Sequence, residues 1–391
     1  MKRSARFFIV LYLLLCGETR AQTLVYSLCY SDTRASRQAR FANVSPLPGL
    51  RSEEENMAML RNARKTEIYS VSILDGRRSL LFSDENLHLE IAARASVSGR
   101  GKAYAAGVWR ERRTTPIPGF YSDEGVYELS LDGSNHFRKI GDAQKQGPGA
   151  LNPQGTKAAA ESADAQSIFI YSVPEWRPLA TLDLSKLAQT HCPDCTPASF
   201  GWLADGNRVF VDLVVAGEED DNSAKVDHTG TYILSEDGTD IGAIPPETGA
   251  FQVAGYSHPK FIDHRFMGQL PDGRYVFLDY GVKQGKPSGQ AEPFLVISGS
   301  DVKFQKHIHL NFPVGGYISP SGRYFAYLEQ RQTPDYRSET HLWVMDLASG
   351  EERELASAPP PNGPNSPNPN MTLFVLGWVD QRESGEVKAT Q

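Results

Sequence analysis

Two patterns of apolar and polar positions alternate along the chain. One is a glycine-containing turn followed by a strand-like alternation. It appears as SVSGRGKAYAAG (96–107), LNPQGTKAAAES (151–162), WLADGNRVFVDL (202–213), QLPDGRYVFLDY (269–280) and SPSGRYFAYLE (319–329). The other is a strand, a tight turn and a second strand. It appears as IYSVSILDGRRSLLF (68–82), VYELSLDGSNHFRKI (126–140), IFIYSVPEWRPLATL (168–182), TYILSEDGTDIGAI (231–244), PFLVISGSDVKFQKH (293–307) and HLWVMDLASGEEREL (341–355). Period-two alternation bounded by Asp-Gly or Ser-Gly turns predicts β-hairpins. The recurrence predicts a repeat architecture.

Superposing the hairpins puts an aromatic residue at one position six times: Tyr69, Tyr127, Phe169, Tyr232, Phe294 and Trp343. Two residues on stand Val71, Leu129, Tyr171, Leu234, Val296 and Met345. Alternate residues of a strand share a face, so both positions are expected to lie on one buried face. A single unit cannot bury that face alone, and neighbouring units must share a core. Four short strands in each unit of 42–63 residues is the spacing of a β-propeller blade.

At these residues the chain resembles TolB-like, WD40-like propeller repeats. Their blades carry a W-S-P-D-G-(K/R) turn and an I-Y-x-x-D-x-(D)-G hairpin. Trp202 to Asn207 and Leu270 to Arg274 match the first pattern. Val126 to Gly133 and Leu342 to Gly350 match the second. The resemblance spans about residues 67–380 and implies an all-β, six-bladed propeller. The hairpin at 168–182 departs from it, with Pro174-Glu175-Trp176 in place of Asp-Gly, and a longer turn is expected there. TKAAAESADAQ (156–166) has helix-forming composition and is read as strand because its repeat mates are strands.

Ring closure follows from what each end of the repeat lacks. MTLFVLGWVD (371–380) repeats the innermost-strand signature, Leu376-Gly377-Trp378-Val379 matching Phe200-Gly201-Trp202-Leu203, but no hairpin follows it. The hairpin at 68–82 has no such strand before it, only LVYSLCY (24–30). The expectation is one shared sixth blade: 371–380 innermost, 24–30 second and 67–82 the outer pair. Residues 52–65 read as a short helix with Ser52 as N-cap and three glutamates in its first turn. The Pro/Asn-rich stretch 359–370 reads as an extended connector.

Charge and the first residues bear on compartment. Lys2, Arg3 and Arg6 precede a ten-residue apolar run, Phe7 to Cys16, with Thr19 and Ala21 placed for cleavage. This is a signal-peptide pattern, too short to span a bilayer. It predicts removal of residues 1–21, leaving a single propeller over 22–391 that is periplasmic or secreted. A lipoprotein signal through Cys16 is disfavoured because Leu15 is not small. The full chain carries 40 basic and 47 acidic residues, net −7. Residues 1–21 are net +3, so the remainder is −10. An acidic chain is a poor fit to nucleic acid, and membrane insertion of the processed chain is not expected.

Little in the sequence carries chemistry. There is no G-x-S-x-G elbow, H-E-x-x-H pair, Walker loop or dinucleotide fingerprint. Cys192 and Cys195, in HCPDC at the connection between the third and fourth repeats, are expected to form a disulfide, with zinc and redox roles as alternatives. Cys29 would be a buried thiol. Glu218 to Asn222 reads as a solvated tip rather than a calcium loop, and His307 and His309 as an outer strand. His258, His264 and Arg265 precede a predicted innermost strand and would stand near the channel mouth, where propellers bind ligands. Trp109, Trp176, Trp202 and Tyr317 permit, without requiring, a sugar or peptide site. No catalytic residue, metal or cofactor is expected. The function expected is an exported, non-catalytic scaffold for a protein or cell-envelope component. The alternative is a hydrolase or lyase of the lactonase, phytase or cyclase sort, with its site at the channel mouth.

Overall fold

A computed structural model describes residues 22–31, 65–89, 96–98, 101–113, 119–142, 149–162, 164–193, 195–215, 230–244, 256–257, 265–284, 291–299, 304–309, 313–334, 338–359 and 370–380. These form six antiparallel sheets in a propeller. Blade I contains β4 (Leu87–Leu89) and β5 (Ser96–Ser98), both paired with β6 (Lys102–Arg113), then β7 (Gly119–Ser130) and β8 (Phe137–Gly141). Blade II is β9 (Ala150–Leu151), β10 (Lys157–Glu161), β11 (Ser167–Ser172) and β12 (Pro178–Asp183). Helix α1 (Leu184–His191) leads to blade III: β13 (Cys195–Trp202), β14 (Arg208–Val215), β15 (Gly230–Ser235) and β16 (Asp240–Ile244). Blade IV has β17 (Tyr256–Ser257) and β18 (Arg265–Gln269), both on β19 (Tyr275–Lys283), then β20 (Ala291–Ser298) and β21 (Phe304–His309). Blade V is β22 (Pro313–Ile318), β23 (Tyr324–Gln332), β24 (Ser338–Asp346) and β25 (Glu352–Ala358).

Blade VI is the shared one. Its order is β26 (Asn370–Asp380), β1 (Gln22–Ser31), β2 (Thr66–Ser72) and β3 (Arg78–Asp84). The ladder between β1 and β26 runs from Gln22↔Asp380 to Ser31↔Asn370. Strands from opposite ends of the repeat therefore close the ring, and neither keeps an open edge towards the other.

Tight turns repeat because the same local chemistry repeats. Asp75, Asp132, Asp205, Asp237, Asp272 and Asp346 each accept from the backbone N–H two residues on, at 2.8–3.1 Å. The following glycines take the left-handed conformation that the turn needs, for example Gly133 at φ 80° and Gly350 at φ 80°. In the β11–β12 hairpin Trp176 holds that conformation instead, at φ 53°. Its ring stacks on Tyr171 at 4.5 Å and lies against Gly141 of blade I. The longer turn expected there is not found: residues 173–177 connect these strands just as 73–77 connect β2 and β3.

The core lies between blades. One cluster joins blades II and III through Ile168, Ile170, Val209 and Val211, with Leu184 and Leu187 of α1 on its edge. Another joins blades V and VI through Leu342, Val344, Leu24 and Leu373. The six positions from Val71 to Met345 predicted as core are all buried. Of the aromatics two residues earlier, only Tyr127 and Phe294 are fully buried, and the other four are half-buried. Among these, Tyr69 and Trp343 turn polar tips to carboxylates. KAAAE is strand, as its repeat position required. Helix α1 was not anticipated; Asp183 caps it by accepting from Lys186 N–H at 2.9 Å.

Strand direction sorts the connections between two faces of the disc. The turns from first to second strand and from third to fourth lie on one face. The connections from second to third strand, and from each blade to the next, lie on the other. Among the described residues the first face holds only tight turns, together with the start of β1 and the end of β26. The second carries α1 and the disulfide, and the strand ends that bound the sequence intervals 32–64, 216–229, 245–255 and 360–369 open on it. Residues 1–21, residues 52–64 of the helix expected over 52–65 and the body of the connector at 360–369 lie outside the described residues.

Candidate functional site

The channel is walled by the innermost strands, and two of these are tied to their neighbours by tryptophan. Trp202 Nε1 donates to Ala150 O of the preceding blade at 3.2 Å, and Trp378 Nε1 to Tyr317 O at 3.1 Å. The shared F-G-W-L and L-G-W-V sequences thus mark one lacing device used twice. Trp176 is committed to Tyr171, and Trp109 packs against the core shared by blades VI and I. Of the aromatics proposed for sugar or peptide contact, Tyr317 is the exposed one, at 42%.

Two innermost strands are broken. In blade I, Leu89 pairs with Gly107 and Ser96 with Tyr104, so six residues stand where β6 has two. The innermost strand of blade I is therefore in two pieces, 87–89 and 96–98. In blade IV, Ser257 pairs with Val282 and Arg265 with Leu278, so seven residues stand where β19 has three. Blades I and IV are opposite each other in a ring of six. His258 and His264 belong to the blade IV interval and lie outside the described residues. Arg265, at the start of β18, is exposed. Arg265 is thus the first residue of β18, and the two histidines fall in the sequence interval between β17 and β18. Opposite the interval sits Asp279, wholly buried, accepting from Tyr280 N–H at 2.7 Å.

Asp279 belongs to a set that sequence reading overlooked. Among the described residues each blade buries one carboxylate: Glu128, Glu161, Asp212, Asp279, Glu329 and Glu67 in blades I to VI. Glu161, Asp212 and Asp279 stand six residues after the turn glycines Gly155, Gly206 and Gly273; Glu329 stands seven after Gly322. That offset was the available signal. Their partners lie largely within the same blade. Asp212 accepts from Thr231 Oγ1 at 2.6 Å and from Ser199. Glu329 accepts from Trp343 Nε1 at 2.7 Å and from Arg331, whose guanidinium covers the Trp343 ring. Glu128 accepts from Arg138 at 3.0 Å and Tyr104 at 3.2 Å. Glu67 accepts from the Tyr30 and Tyr69 hydroxyls, each at 2.8 Å, and pairs with Lys65. Burial alone would raise the Glu67 pKa, but bonds from Lys65, Tyr30 and Tyr69 outweigh it and hold the carboxyl below its ordinary value. Those of blades I, III, V and VI fasten strands together through these partners.

Cys192 and Cys195 are bonded to each other, with Cα atoms 5.3 Å apart, and both are buried. Cys192 ends α1, its N–H donating to Ala188 O at 2.7 Å. A helix C-terminus disfavours a thiolate, unlike the helix start used by redox cysteines. His191 stacks on Tyr232 at 4.3 Å and contacts Asp240, fixing α1 against blade III. Cys29 is free and buried, and burial pushes its thiol up to about 11. His307 and His309 are on outer strand β21, paired with Val296 and Phe294. Glu218 to Asn222 lie outside the described residues. Among the described residues no three His, Cys, Asp or Glu side chains converge to hold a metal ion, and no helix is long and apolar enough to cross a membrane.

The fold defines the class: a six-bladed β-propeller. No family model matches the chain, and no curated protein matches it. Solved structures similar to it include Kuenenia stuttgartiensis hydrazine synthase, at 9% identity over 70% of this chain and 66% of that one, TM-score 0.34. A Mycobacterium tuberculosis puromycin-hydrolyzing peptidase is 13% identical over 81% of this chain and 46% of that one, TM-score 0.40. The β-propeller domain of the Trilobed protease from Pyrococcus furiosus is 12% identical over 86% and 93%, TM-score 0.37. This chain spans 66% of the hydrazine synthase chain and less than half of the peptidase. These likenesses concern fold alone.

Proposed function

We propose that this chain is an exported, TolB-like propeller that acts as a binding scaffold for a protein or cell-envelope component. The observation that supports this most is the asymmetry of the disc. One face is closed by short turns that grip one another: Asn152 Nδ2 donates to Gly206 O at 3.3 Å, Gln154 Nε2 to Asp205 O at 3.1 Å, and Gly322 sits against Pro271. The strand ends that bound the intervals 32–64, 216–229, 245–255 and 360–369 all open on the other face, and long connections are where rigid scaffolds present variable recognition segments. The buried carboxylates whose partners are identified are engaged within the fold rather than aimed at a common point. Export is supported by the cationic segment and apolar run of residues 2–16.

Photo-crosslinking in the native host tests the reading. A photoreactive residue at Gln189, exposed on α1, should give a discrete protein or envelope adduct; one at Arg274, on the tight-turn face, should give none. Equal adducts from both faces, or none from either, would overturn it. So would stoichiometric bound metal in the purified protein, which would favour the hydrolase or lyase alternative.

A further inference from the structure

Gln22 opens β1, the strand that β26 and β2 enclose in the closing blade. It pairs with Asp380 in the β26 ladder, and its carbonyl accepts from Ile73 N–H at 3.1 Å. Alternate residues of a strand share a face, so its side chain is on the side of Leu24 and Tyr26. Those two belong to the core between blades V and VI. Gln22 is only 4% exposed. Arg353 of blade V reaches the same corner, where its guanidinium donates to Ile73 O.

Export makes this residue a chain terminus. Thr19-Arg20-Ala21 places the cut directly before Gln22. The peptide nitrogen of Gln22 then becomes an α-ammonium, a full charge on a nearly covered residue. The cation nearest in the bonding pattern, Arg353, has the same sign. Burial and a like charge both disfavour the ionised form. Glutamine is a residue that can discharge such a terminus, because it carries an electrophilic carbon within reach of its own amine.

We propose that Gln22 is the N-terminus of the processed chain and is converted to pyroglutamate, an inference that rests on the export reading of residues 1–21. The neutral α-amino nitrogen attacks Cδ of its own side chain. The N–Cδ bond forms, the Cδ–Nε2 bond breaks, and Nε2 leaves as ammonia with the proton that the amine gives up. Nothing is oxidised or reduced, and no co-reactant is consumed. Both reacting groups sit on one residue, so closure is intramolecular. It needs no access to the folded blade and suits the exported chain before β1 docks. The lactam is neutral and keeps one N–H on its nitrogen, as the uncut peptide did. β1 can therefore enter blade VI with the Gln22 carbonyl still held by Ile73.

Mass spectrometry of the intact protein and its N-terminal peptide, purified from the native host, tests this. The expected terminus is Gln22 lighter by one ammonia and resistant to stepwise Edman degradation. Gln22 with a free amine overturns this inference and leaves export standing. A terminus at another residue past the apolar run also overturns it while supporting export, and a soluble chain still beginning at Met1 overturns both. A second measurement frees Gln22 in vitro from a removable leader on the full processed chain. Its melting temperature should rise as ammonia is lost, whereas Gln22→Ala, which cannot close the ring, should show no rise. A melting temperature that stays level while the wild type cyclises shows that the site does not favour a neutral terminus, and overturns the argument from burial.

Discussion

Glu67 is the clearest case of a residue whose charge is structural. Two tyrosine hydroxyls and Lys65 hold a carboxylate that is almost out of water, beside the strand that closes the ring. Tyr69, donating to it, is pushed up to about 12, first by burial and then by the negative charge it faces. Because the folded pKa of Glu67 is depressed, its contribution to stability is fully present above the unfolded value. It is lost as pH falls through the folded value. Glu67→Gln should cost about 1–3 kcal/mol at pH 7, the range for a charged hydrogen-bond partner lost from a buried site. The variant's melting temperature should also fall less steeply than the wild type's between pH 5 and pH 3. Thermal melts across that range check both, and an identical acid slope would show that Glu67 does not carry the effect. The turn aspartates add to the same acid limb: side chains of Ser134, Ser235 and Arg274, then backbone N–H groups, lower Asp132, Asp237 and Asp272.

Among the elements, α1 and its disulfide join blades II and III. Leu184, Leu187 and Ala188 enter the core beside Cys192 and Cys195. A bond in that position, at a helix C-terminus and out of water, suits a structural staple. Native protein treated with an alkylating agent, without reductant, should incorporate nothing at Cys192 or Cys195. Cys29 should react only on unfolding, since burial disfavours its thiolate. Mass spectrometry of the labelled peptides reads this directly, and rapid labelling of the pair would point to the redox alternative. Replacing both Cys192 and Cys195 by serine should lower stability by about 2 kcal/mol, as expected for so short a loop.

For the whole molecule the decisive contact is β26 on β1. Deleting residues 370–391 would strip blade VI of its innermost strand, expose the Leu24 and Tyr26 side of the core, and break the Trp378–Tyr317 tie. The expected loss is several kcal/mol, comparable to removing large core side chains, with aggregation through the freed edge. Calorimetry and light scattering would show it. A monomeric truncated protein melting within a few degrees of the full chain would mean that the ring does not depend on closure. The single substitution Trp378→Phe should cost only about 1 kcal/mol, the net value of one hydrogen bond.

The blades and their closure were readable because they rest on local chemistry. Asp-Gly turns, alternation and the residue two places after each aromatic carry the same meaning wherever the chain places them. Even the shared blade followed from counting which half each end lacked. Helix α1 was not readable, since LSKLAQTH has too few periodic positions and is set by Asp183 and by packing against Tyr232. Nor did sequence alone show which tryptophans were spent on lacing, because their hydrogen-bond acceptors lie 52 and 61 residues away. The buried carboxylates had a sequence signal in their offset from the turn glycines. Their roles did not, because an acid is a site or a fastener according to what surrounds it. Only tertiary structure assigned partners to the carboxylates of blades I, III, V and VI. Only strand direction, in the end, decided that the strand ends bounding the long intervals open on one face.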